Sequence, residues 1–144
     1  MQTLESVLAQ GQFQLDEGVY RVLRLPAKAI IAAAAVIAEI GEPFAVLIAD
    51  AHEVTLVIDD EALEEYRHRL IGHTVEATTY RLITLDLPLE PTLTGLMARL
   101  AAALAEAGVP IFPYAAYSRD HLLVPTEKAE IALAALNGLK TAKS

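Results

Sequence analysis

The sequence predicts an α+β chain of two tandem βαββαβ repeats with antiparallel sheets, the first in residues 1–72 with a lead-in strand and the second in residues 73–144. Three observations carry that expectation. β-rich and helical segments alternate, and a Gly, a Pro or a capping side chain marks each boundary. Leu93, Leu96, Met97, Leu100 and Leu104 fall on one stripe of a helix, which Gly108 ends. The two halves also match at a constant separation of 67 positions: Gly41 with Gly108, Pro43 with Pro110, Ala49 with Ala116, Glu53 with Asp120, Leu56 with Leu123 and Val57 with Val124. Each half then reads strand, helix, strand, strand, helix, and a fourth strand completes a ferredoxin-like unit. Residues 12–15 and 74–78 are the candidates for that strand, and exchange between the halves is an open alternative.

In the first half, residues 1–10 form a weakly amphipathic lead-in. Residues 12–15 and 19–25 read as two strands joined in a hairpin at Asp16, Glu17 and Gly18. Pro26 opens a helix to about Ile40 that is apolar nearly all round, so burial on several sides is expected, and Gly41 stops it. Residues 44–49 and 54–58 make the next hairpin about Asp50, Ala51, His52 and Glu53. Asp59 or Asp60 caps a helix to about Leu70, with Ala62, Leu63, Tyr66 and Leu70 on its inner stripe. Residues 71–78 connect the halves, turning at Gly72.

In the second half, residues 84–89 read as a strand. Glu90, Pro91 and Thr92 break it, because proline cannot donate to a ladder, and Thr92 caps the striped helix. Residues 109–117 are rich in β-formers, Ser118, Arg119 and Asp120 form a polar turn, and residues 121–124 run back. Tyr114 and Tyr117 are expected on opposite faces, one of them in the core. Thr126 caps a last helix, which Asn137 and Gly138 end.

Composition narrows the function. A net charge of −8 and a pI near 4.9, with eleven scattered basic residues, argue against nucleic acid, because neutralising phosphates needs clustered Lys and Arg. The most apolar run, residues 29–38, is far short of the roughly 20 residues that span a bilayer. No basic n-region precedes an apolar core at the N-terminus, and there is no cysteine, so a cytoplasmic location is expected. A hydrophobic content of 54% and a mean hydropathy of +0.39 predict apolar surface closed against a second copy, a homodimer being the expectation.

Duplicated βαββαβ units in which a leucine-striped helix ends in Ala107-Gly108 before a β-rich segment resemble the ACT domain, a small regulatory module that commonly binds amino acids. Residues 88–95, the run Ala115-Ala116-Tyr117 and the run from Ser118 to Pro125 are similar to the second repeat of the double-ACT proteins of the CASTOR-like group, and residues 54–61 resemble the end of the first. The likeness covers residues 12–138. It implies a small-molecule pocket where the loop before the second repeat's helix faces a neighbouring ACT unit, with Glu90, Thr92, Leu93, Thr94, Gly95, Ala116, Tyr117 and Asp120 as ligand-contacting positions. Backbone N–H groups over residues 92–95 would take an α-carboxylate, Gly95 would let the ligand approach, and Asp120 would pair with an ammonium or guanidinium group. Ala115-Ala116 stand where the group carries Ser-Thr, which removes hydrogen-bonding capacity. On the residues alone, Asp120 serves equally as a turn former, and Thr92 and Gly95 as a helix start.

No catalytic constellation emerges. His52, His68, His73 and His121 lack metal-ligand spacing, Ser6, Ser118 and Ser144 sit in no nucleophile elbow, and no Gly-rich phosphate loop occurs, so neither a metal nor a cofactor is expected. Two readings follow: a regulatory protein that senses an amino acid, or a structural oligomerisation module with no small-molecule ligand.

Overall fold

The computed structural model describes residues 1–41 and 44–141; Pro43, the expected counterpart of Pro110, lies outside the described residues. In chain order the elements are α1 (Leu4–Gln10), β1 (Gln12–Leu15), β2 (Tyr20–Pro26), α2 (Ile30–Ile40), β3 (Val46–Ala49), β4 (Glu53–Asp59), α3 (Asp60–Tyr66), β5 (Thr74–Val75), β6 (Tyr80–Asp86), α4 (Leu96–Glu106), β7 (Phe112–Ala115), β8 (Asp120–Pro125) and α5 (Ala129–Thr141). The chain divides into two compact units: a continuous one, Gly18–Thr79, and a split one, Met1–Glu17 with Tyr80–Ser144. Both are α+β with antiparallel strands.

In the continuous unit the spatial order is β3-β4-β2-β5, the ferredoxin-like arrangement with a fourth strand supplied by the connecting segment. Leu23 and Leu25 of β2 and Val54, Leu56 and Ile58 of β4 alternate onto one face, where they pack with Ala33 and Val36 of α2 and Ala62 and Leu63 of α3. Asp50 Oδ1 accepts the N–H groups of His52 (2.7 Å) and Glu53 (2.9 Å) and so fixes the β3–β4 turn. Asp59, not Asp60, is the cap of α3: its Oδ1 accepts the Ala62 N–H at 2.8 Å. Helix α2 is less buried than its composition predicts. Only Ala33 and Val36 are fully covered and Ile31 is 80% exposed, because a helix lying on one sheet face has one covered side.

In the split unit the order is β1-β6-β8-β7, so the fourth strand comes from the N-terminal segment. The expected hairpin at Asp16, Glu17 and Gly18 does not form: β1 pairs with β6 through Gln12↔Asp86 to Leu15↔Ile83, whereas β2 pairs with β4 and β5. Burial explains the choice, since Phe13 enters the core made by Ile83, Leu85, Leu100, Leu104 and Leu122. The partition therefore differs from a division at residues 72 and 73, with residues 1–17 in the split unit and 73–79 in the continuous one.

The lead-in is a helix. Thr3 and Ser6 form a capping box, each side-chain oxygen accepting the other's backbone N–H at 3.1 Å, and Val7 and Leu8 are buried. Gly11 turns α1 into β1 where a Cβ would stand 2.5 Å from Leu85 Cδ1. Strand β6 begins at Tyr80 and stops at Asp86, four residues before and three residues short of the expected 84–89, and α4 begins at Leu96 rather than Thr92. Helix α5 follows a 3-10 turn at Thr126–Lys128 and runs through Asn137 and Gly138 to Thr141, held by buried Ala129, Ala132 and Leu136 and by a hydrogen bond from Lys140 Nζ to the Gly11 carbonyl. Among the described residues no helix is long and apolar enough to cross a membrane.

Candidate functional site

The two units differ most between their first strand and first helix. In the continuous unit three residues, 27–29, make that connection; in the split unit nine do, 87–95. This longer loop, the start of α4 and the β7–β8 hairpin enclose a cavity of about 530 Å³. A volume of that order suits a small molecule.

Hydrogen bonds fix the loop at both ends. Leu89 N–H donates to the Ser118 carbonyl at 2.7 Å, joining loop to hairpin, and Leu93 N–H donates to the Glu90 carbonyl at 3.0 Å. On the other side Gln2 holds it: Gln2 N–H donates to Glu90 Oε1, Gln2 Nε2 donates to the Pro88 carbonyl and Glu90 N–H donates to Gln2 Oε1, each at 2.7 Å. Gly95 then turns the chain at φ +86° and ψ −7°, a left-handed conformation that favours glycine. Having no side chain, it leaves the N–H groups of Leu96, Met97 and Ala98 uncapped at the positive end of α4.

Of the expected site residues, Glu90, Leu93, Gly95, Ala116, Tyr117 and Asp120 all line the cavity, together with Leu89, Pro91, Met97, Pro113, Ala115 and Ser118. Thr92 and Thr94 do not; both are exposed. Because the helix starts at Leu96, its uncapped N–H groups belong to residues 96–98 instead of 92–95. Met97 and Pro113 carried no sequence signal beyond a core stripe and a β-rich run.

Asp120 opens β8 and is half-buried in the cavity wall. Loss of hydration raises its carboxyl above the ordinary value, against a smaller lowering by His121. No hydrogen bond or ion pair to it is found among the described residues. Its neighbours are otherwise engaged: Arg119 Nε donates to Asp86 Oδ1 at 3.0 Å, and His121 Nδ1 lies 2.8 Å from Thr84 Oγ1. Desolvation holds the His121 imidazole below its usual value, with Arg119 adding to the effect and Asp120 opposing it. Tyr114 is half-buried, while Tyr117 is 96% exposed at the cavity rim, outside the strand. Among the described residues no three His, Asp or Glu side chains are grouped to hold a metal.

Residues 76–138 match the family model described as ACT domain. That segment, somewhat less than half of the chain, is similar to an ACT domain. The fold is similar to that of the ligand-free regulatory subunit of aspartate kinase from Thermus thermophilus, which superposes with a TM-score of 0.67 at 17% identity, over 92% of this chain and 98% of that one. A structure of aspartokinase α and β subunits gives 0.73 at 12% identity, over 90% and 97%. At 28% identity, a Vibrio cholerae protein of unknown function, described as a possible transport protein, matches 96% of each chain with a TM-score of 0.70. No curated protein is significantly similar in sequence. The cavity lies wholly within the split unit, which contains nearly all of the matched segment.

Proposed function

We propose that this chain is a regulatory protein, not an enzyme, that senses an amino acid in the cavity of its split unit. One observation carries the reading: in a segment similar to an ACT domain, a half-buried carboxylate without a partner, Asp120, and an uncapped helix start at Leu96 line the same cavity of about 530 Å³. A helix N-terminus favours a carboxylate and Asp120 favours an ammonium group, so the two ends of a zwitterion have complementary places. Leu93, Met97, Ala116 and Tyr117 supply apolar wall for the side chain, and Glu90 lies at the loop.

The test is a thermal-shift screen of the twenty amino acids. A ligand at about a hundred times its Kd stabilises the folded state by about 2.7 kcal/mol, which for a chain of this length raises Tm by about 6 to 10 °C. The reading requires such a rise with one chemical class and its loss in Asp120→Ala; no rise with any of them refutes it.

The second reading, a self-association module, is favoured by the exposure of Ile31 (80%), Ile71 (77%) and Ile131 (52%). Sedimentation of the ligand-free chain separates the two: a homodimer in the cytoplasm belongs to both readings, but only the sensor changes its assembly or partner affinity with an amino acid.

A further inference from the structure

The cavity's charge is one-sided. Two carboxylates, Glu90 and Asp120, line it, and none of its lining residues is Lys, Arg or His. The adjacent Arg119 is committed to Asp86. Asp120 lies in β8 and Glu90 in the loop, and Glu90 is the one whose orientation is imposed from outside the cavity. Gln2 N–H holds Oε1 at 2.7 Å and Gln2 Oε1 takes the Glu90 N–H, while Oε2 has no partner among the described residues. Gln2 is itself placed by the adjoining Thr3–Ser6 capping box and by Val7 and Leu8, which are 1% and 3% exposed.

From this we infer that Glu90, oriented by Gln2, is the charge selector of the cavity: it disfavours amino acids with anionic side chains relative to neutral or cationic ones. This rests on the amino-acid reading above. The physical basis is simple. If Asp120 pairs with the ligand's ammonium group, its charge is spent; Glu90 remains, and a second carboxylate on the ligand would meet it with no cation to offset the repulsion. Glu90 is exposed, so the repulsion is screened and its effect is moderate, about tenfold in relative affinity at low salt.

The experiment compares matched pairs, aspartate with asparagine and glutamate with glutamine, titrated against the full chain by calorimetry at constant ionic strength. The wild type is expected to bind each acid about tenfold more weakly than its amide, with the ratio shrinking as salt rises. Glu90→Gln retains an oxygen for the Gln2 N–H and removes only the charge, so it should bring the ratio close to one. Gln2→Ala keeps the backbone N–H that holds Oε1 but removes the side-chain bonds to the Pro88 carbonyl and the Glu90 N–H, so it should lower the ratio part-way by loosening the loop that carries the charge. Equal binding of acid and amide by the wild type, or an unchanged ratio in Glu90→Gln, overturns the inference while leaving an amino-acid site standing. No binding of either pair, with no thermal shift by any other amino acid, overturns the underlying reading and this inference with it.

Discussion

Gln2 and Glu90, 88 positions apart, exchange hydrogen bonds: the backbone N–H of each donates to a side-chain oxygen of the other at 2.7 Å. The N-terminal segment thereby holds a wall of the cavity. Gln2→Ala is expected to destabilise the chain by no more than about 1 kcal/mol, because the side-chain bonds it removes, to the Pro88 carbonyl and from the Glu90 N–H, are exposed and water replaces them. Hydrogen exchange should report the local effect, with the Glu90 amide exchanging about tenfold faster and the amides of Leu100 and Leu122 unchanged. Equal acceleration at all three would mean that Gln2 supports the whole unit.

Asp120 trades stability against binding. Its folded-state carboxyl value is raised above 3.8, so its stabilising contribution is complete below 3.8 and is lost as pH rises through the higher folded value. At neutral pH the charged group therefore opposes folding. Asp120→Asn should raise the Tm of the ligand-free protein by a degree or two at pH 7, an advantage that fades by about pH 3 to 4. The same variant should lose the amino-acid shift. A lower Tm at pH 7 would show that Asp120 has a structural partner.

His121 has the opposite dependence. A folded value depressed below 6.5 gives stability that is complete above 6.5 and lost as pH falls through the lower folded value. His121→Gln should flatten denaturant midpoints measured between pH 7 and 5, whereas an unchanged slope would assign that titration to other groups.

Gly11→Ala tests the corner between α1 and β1. A Cβ there would meet Leu85 Cδ1 at 2.5 Å and the Val7 carbonyl oxygen at 3.0 Å, and the second is backbone that cannot swing away. Urea denaturation should show a loss of about 1–3 kcal/mol. Gly41, with nothing within 4 Å of an added Cβ, isolates the conformational effect: at φ +74° Gly41→Ala should lose about 1 kcal/mol.

Local chemistry was legible from the residues. A cap at Asp59 or Asp60, Asp50 in its turn, Gly41 and Gly108 at helix ends and the 67-residue spacing of the two repeats each depend on a few neighbouring atoms. The candidate site came from the resemblance of residues 88–95 and 115–125 to an ACT repeat, and six of the eight positions it implies line one cavity. Thr92 and Thr94 misled because Glu90-Pro91-Thr92 carries the chemistry of a helix start, while the true start depends on the left-handed turn at Gly95. Nothing near Gln2 in sequence signals Glu90 as its partner.

The sequence by itself determined the α+β class, the duplication and most element boundaries, because period, capping and turn preference act over a few residues. Tertiary structure alone decided where β1 goes. Its four residues could have turned back on β2 at Asp16, Glu17 and Gly18, but burying Phe13 against Ile83 and Leu85 joins them to β6 instead, and with them comes α1. That choice is a competition between burial sites distant in sequence, and it places Gln2 beside Glu90 at the cavity.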